Sequence, residues 1–136
     1  MKNRHLARQA SLQALVSLLL HTEEPEAVID FVHKEFAPQL NNISFTKNMV
    51  LGVLEHQKDI DEKIQEFAPE WPIEKLDPVE RTVLEIGTYE LCYTDTPAAV
   101  IINEAVDLAK EFGDDTAGRF INGVLSSISK SLSATA

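Results

Sequence analysis

Apolar residues along this chain recur at intervals of three and four, and nowhere do they alternate for long as a strand requires, so the pattern predicts helices throughout. The first runs from about Arg4 to His21, with Ala7, Ala10, Ala14 and Leu18 on one face and Leu15 and Leu19 widening the stripe. Arg4 and Arg8, four residues apart, share another face. A second helix begins near Pro25, tolerated in a first turn because its missing N–H has no partner there, and buries Val28, Ile29, Val32 and Phe36. Pro38 prevents a clean continuation. Ser44 is expected to cap a third helix carrying Phe45, Met49, Gly52 and Val53, and Asp59 a fourth with Ile60, Ile64 and Phe67 inward. Pro69-Glu70-Trp71-Pro72 then stops regular helix and marks the expected boundary between two helical halves of one domain spanning 1–136, about 1–68 and 73–132.

The second half restarts at Asp77-Pro78-Val79-Glu80, which sets a cap, a first-turn proline and a third-position glutamate in capping-box order. Val79, Val83 and Ile86 follow on one face, with Leu84 and Leu91 beside them. Thr96-Pro97 repeats the cap-and-proline signal ahead of Ile102, Ala105, Ala109 and Phe112, and Gly113 is placed to end that helix in a left-handed conformation. The last helix starts near Asp115 or Thr116 and buries Phe120 or Ile121, then Val124, Leu125 and Ile128, with fraying expected from Ser129. The fold class is therefore all-α, about seven helices in two packed bundles.

Composition narrows the chemistry. At 136 residues and 44% hydrophobic content the chain can bury a self-sufficient core. One cysteine, Cys92, excludes an internal disulfide framework. The longest apolar stretch, Leu12 to Leu20, is broken by Gln13 and Ser17 and falls short of the ~20 residues a membrane span needs. A cytoplasmic protein with no membrane association is expected. The net charge of −10 is unevenly distributed. The first 22 residues hold Lys2, Arg4 and Arg8 and no acid, whereas the remainder carries nine basic and 22 acidic side chains, a net of −13. A basic segment on an acidic body suits two unlike partners, one anionic and one cationic.

Catalytic signatures are missing from the sequence. It has no phosphate-cradling glycine loop and no His-Glu-x-x-His metal pattern, and His5, His21, His33 and His56 are too scattered to suggest a ligand set. No catalytic residue, metal, cofactor or small-molecule substrate is expected, and the chain reads as a non-enzyme. Binding residues stand out better. Lys2, Arg4, His5 and Arg8 can contact phosphates, and Arg119-Phe120 sets a cation beside a ring. An exposed Phe120 would stack on an unpaired base; a buried one would be core.

Four segments stand out in order: Ala7-Arg8-Gln9-Ala10-Ser11-Leu12-Gln13-Ala14-Leu15, then Leu76 to Arg81 running on to Tyr89-Glu90-Leu91, then Pro97 to Val100 with Ile102 to Gly113, and last Arg119-Phe120-Ile121-Asn122-Gly123-Val124-Leu125. Together they resemble the NusB family of bacterial transcription antitermination factors. The resemblance implies a role in processive transcription of ribosomal RNA operons. It implies single-stranded boxA RNA and the ribosomal protein NusE as direct partners, within an RNA polymerase antitermination complex. RNA contacts carried over are Lys2, Arg4, His5, Arg8, Arg119 and Phe120, and partner contacts are Glu74 and Glu80. Two departures stand out: His5 and Leu6 interrupt the family's opening arginine cluster, and Val16 replaces a common tyrosine. With few phosphate contacts, modest and salt-sensitive RNA affinity is expected. A protein-only adaptor of the same fold, with weakened RNA binding, is the alternative.

Overall fold

The computed structural model describes residues 2–134, with the side chain of Lys2 outside the described part. Among the described residues there are seven α-helices and no strand: α1 (Lys2–Leu20), α2 (Pro25–Phe36), α3 (Ser44–Glu55), α4 (Gln57–Phe67), α5 (Pro78–Tyr93), α6 (Ala98–Phe112) and α7 (Asp115–Ala134), with one 3-10 turn at Ile73–Lys75. They form two compact units, Met1–Glu55 and His56–Ala136. The division falls one helix before the Pro69–Pro72 segment, because α4 packs on α5 and α7 and so belongs with the later helices. No helix of the described residues is long and apolar enough to cross a membrane.

In the first unit α1, α2 and α3 pack on one another. Ala7, Ala10, Ala14 and Leu15 are buried as the pattern requires, joined by Leu12 and Ser11, while Leu18 and Leu19 are half-buried. Val28, Ile29 and Val32 turn the inner face of α2 into this core, whereas Phe36 is half-buried and Phe31 is exposed. Ser44 is not the cap of α3. The Ile43 carbonyl already accepts from the Lys47 N–H, and it is Asn42 whose Oδ1 accepts from the Ser44 N–H at 2.8 Å. A Lys47–Glu26 ion pair at 3.0 Å links α3 to α2.

In the second unit α5 runs beside α4, α6 and α7 and is buried along most of its length. Asp77 caps it as expected, its carboxylate accepting from the N–H groups of Val79 and Glu80. Elsewhere the helix ends differ from expectation. Helix α4 starts at Gln57, ahead of Asp59, and α6 has Pro97 rather than Thr96 at its cap position. Gly113 ends α6 with φ −141°, not left-handed; its reason is space, since an added Cβ would lie 2.9 Å from the Ala109 carbonyl oxygen. Phe112 is exposed, and Ile101 and Leu108 take the inner positions with Ala105 and Ala109. Helix α7 is capped by Asp114, whose Oδ1 accepts from the Ala117 N–H at 2.9 Å, and runs on to Ala134 rather than fraying at Ser129. Half-buried Leu132 extends the Val124–Leu125–Ile128 stripe by one turn, which keeps the final turns packed.

A polar group sits inside this second unit. Arg81 donates to Asp61 Oδ2 at 3.1 Å and approaches Glu85 at 3.5 Å, while Gln57 donates to Glu85 Oε2 at 3.3 Å. Burial, reinforced by the neighbouring Asp61, pushes the Glu85 carboxyl up to about 8, so it is mostly protonated at neutral pH. His56, at the start of α4, stacks on Tyr93 at 4.0 Å, a packing role for that histidine.

Candidate functional site

Each unit carries one patch with binding chemistry. In the first, α1 presents Arg4 and Arg8 to Phe45 of α3, with guanidinium carbons 4.2 and 5.2 Å from the ring centroid. The four-residue spacing that puts both arginines on one helical face thus aims them at one aromatic ring, a cation–π arrangement that holds them in place. Their environments differ. Arg4 is exposed, whereas Arg8 is only 3% exposed and lies in the packed layer beneath. His5 is half-buried and engaged in an interaction of its own. Lys2 belongs to this stretch, but its side chain lies outside the described residues.

In the second unit a cleft of about 450 Å³ opens between the Trp71 turn, the start of α5 and the start of α7. Trp71, Lys75, Asp77, Glu80, Asp114, Thr116 and Phe120 line it. The turn is held by one amide: Gln65 donates to the Ala68 and Trp71 carbonyls at 3.0 and 2.9 Å and accepts from the Ile73 N–H at 2.9 Å. That clamp sets Trp71 edge-on to Phe120, with ring centroids 6.0 Å apart and an interplanar angle of 72°. Trp71 stays 55% exposed, and Phe120 is half-buried beside the fully buried Ile121, so the ring is neither core nor free in solvent.

Carboxylates border these rings. Glu80 is half-buried, and burial, with Asp77 and Asp114 nearby, raises its pKa above the usual carboxylate range. A cationic group entering the cleft would relieve that repulsion. The fold therefore brings Glu80 and Phe120 to one cleft. Glu74, exposed in the 3-10 turn, and Arg119, exposed and donating to Thr116 Oγ1 at 3.3 Å, do not line it. Trp71 was missed as a site residue by sequence reasoning, although a lone tryptophan bracketed by prolines was a usable signal. Cys92 is half-buried and its thiol pKa is raised by burial, opposite to the shift that activates a nucleophile. No cluster of three metal-ligating side chains occurs among the described residues.

Comparison with known proteins matches the NusB family model over residues 5–130. The transcription antitermination protein NusB of Dehalococcoides mccartyi (strain CBDB1) is 41% identical over 135 residues, covering 98% of this chain and 94% of that protein. Among solved structures, a crystal structure of the antitermination factors NusB and NusE in complex with double-stranded RNA contains a chain with TM-score 0.86 and 30% identity, covering 96% of this chain and 98% of that one. A chain in the crystal structure of a plectonemic RNA supercoil gives TM-score 0.91 at 30% identity, with full coverage of both. With the family pattern running through both units and nearly all of the sequence, the chain belongs to the NusB family.

Proposed function

We propose that this protein is a transcription antitermination factor that binds single-stranded boxA RNA together with NusE and supports processive transcription of ribosomal RNA operons within an RNA polymerase complex. The observation that carries the reading is the Trp71–Phe120 pair, two aromatic rings held at the mouth of an acid-bordered cleft. Exposed rings offer stacking surfaces to unpaired bases, worth about 1–3 kcal/mol per base. Glu80, with Glu74 on the adjoining turn, offers negative charge to a basic ribosomal protein. The NusB relative solved with NusE and RNA supports the pairing.

In this reading Lys2, Arg4 and His5 at the start of α1, and Arg119 beside Phe120, supply RNA contacts. Arg8 acts from beneath by holding Phe45 and steadying the surface on which Arg4 lies. An acidic chain gains RNA affinity through its partner, because the basic protein neutralises the body and adds phosphate contacts of its own. The burial of Arg8 favours one competitor, a protein-only adaptor with weakened RNA binding, since it removes a cation from a short basic segment.

The test is a titration of fluorescent boxA-like single-stranded RNA with this protein, with NusE and with their equimolar mixture, at two salt concentrations. Tighter, salt-dependent binding by the mixture is expected, with Trp71 emission changing as RNA binds. Association of the two proteins with no gain in RNA affinity would leave the adaptor reading in its place.

A further inference from the structure

The cleft between the starts of α1 and α3, in the first unit, has a composition that phosphate contact does not explain. It measures about 430 Å³, within the range of small-ligand sites. Its lining includes buried Leu40, the Arg4–Phe45 pair and the amides Asn41, Asn42 and Asn48. Neutral amides outnumber the cation. Phosphate oxygens select guanidinium and ammonium groups, whereas the edge of a nucleobase, with its mixed donors and acceptors, selects amides.

Two details strengthen the match. The Ser44 N–H is a donor, so the Asn42 atom that receives it at 2.8 Å is the amide oxygen, and the NH₂ end is left to donate to a ring nitrogen or exocyclic oxygen. Arg4, seated 4.2 Å from the Phe45 centroid and exposed, is a planar cation fixed on one side. Its other side suits a stacked base, and guanidinium planes serve unpaired RNA bases in that way.

We propose that this cleft takes one unpaired nucleobase of the bound RNA strand, stacked on Arg4 and hydrogen-bonded along its edge by Asn42 and Asn48. The proposal rests on the RNA-binding reading above and adds to it a base-reading site in the first unit. A stacked, edge-bonded base makes the protein sensitive to what occupies one position of the strand. A phosphate contact alone is indifferent to base identity.

The experiment is an abasic scan. BoxA-like RNAs, each lacking one base, are titrated against the full-length protein mixed with NusE, as wild type and as Asn48→Ala. Asn48 is exposed on α3, and alanine is a strong helix former, so the variant keeps its helix. In the wild type one abasic position, besides any that Trp71 and Phe120 stack, is expected to weaken binding about tenfold, the scale of a lost stack or bidentate contact. Asn48→Ala is expected to weaken intact RNA several-fold, to lose most of its sensitivity to that position and to leave the salt slope unchanged, because an amide displaces no counterion. Asn42→Ser, which keeps an oxygen able to accept from the Ser44 N–H and removes the amide donor, serves as a second variant, with the same coupling expected. Equal losses at every abasic position, or variants that bind like wild type, overturn the base site while leaving RNA binding intact. Displacement of the RNA by free nucleotides without positional coupling also overturns it. Failure of the wild-type mixture to bind any of the RNAs removes the functional reading and the base site with it.

Discussion

At the residue scale, glycines with the same letter in the sequence have opposite tasks in the fold. Gly87 lies on α5 against α7, where an added Cβ would sit 2.6 Å from Leu125 Cδ1 and 3.0 Å from Cδ2. Leu125 is completely buried, so its side chain has little room to swing aside. Gly87→Ala is therefore expected to destabilise the protein by about 1–3 kcal/mol, read as a lower urea midpoint. Gly123, on the exposed side of α7, has nothing within 4 Å of the same position. Gly123→Ala should instead stabilise by about 0.4–1 kcal/mol, read as a higher midpoint, through the smaller entropy of the unfolded chain. A shift of the same sign in both would contradict the assigned packing.

At the element scale, the contact of α4 with α5 is written partly in protons. Glu85 titrates at about 8 in the folded protein against an ordinary value of 4.5, and burial is the main cause. A carboxyl whose pKa is raised by folding stabilises fully below its unfolded pKa. That contribution declines as pH rises from about 4.5 and is gone once the folded pKa is passed. Glu85→Gln stays neutral throughout, so the stability of wild type relative to this variant should fall steadily between pH 5 and about 8, measured by urea unfolding across that window. A constant difference would mean that Glu85 is charged at both ends. The Trp71 turn offers a second element-scale test. The Gln65 amide satisfies three backbone groups between Ala68 and Ile73. Gln65→Ala should cost about 1.5–3 kcal/mol, allowing up to 1 kcal/mol for each bond, and should shift the emission of the chain's single tryptophan.

On the scale of the whole molecule, the uneven charge becomes a salt dependence. An RNA complex releases about one counterion for each phosphate neutralised, so Arg4→Ala should lower the log–log salt slope of the RNA–NusE complex by about 1. Arg8 carries the same formal charge but is buried against Phe45. Arg8→Ala should lower the melting temperature and change the slope less. Equal slope changes for the two variants would show that Arg8 leaves its packed position to meet the strand.

The helices, their order and the capping of α5 were legible because apolar periodicity and the Asp77-Pro78 signal are local properties of the chain. So was the family, since its longest motifs lie within single helices. Phe120 and Ile121 were both open candidates for the inner position of α7, and packing chose Ile121, which left the phenylalanine half-exposed beside Trp71. Arg4 and Arg8 have identical chemistry and lie one turn apart, yet Arg4 is exposed and Arg8 is buried where α1 packs in the first unit. Helix α7 begins at Asp115, as its sequence suggests, with Asp114 meeting the Ala117 N–H, whereas at α3 it is Asn42 rather than Ser44 whose side chain accepts from the backbone, since several polar residues compete there and backbone direction picks among them. The sequence by itself determined the seven helices, their main apolar stripes and the family. Tertiary structure alone decided which ends of those stripes stayed exposed, and it assembled the Trp71–Phe120 cleft, because both depend on contacts between residues far apart in the chain.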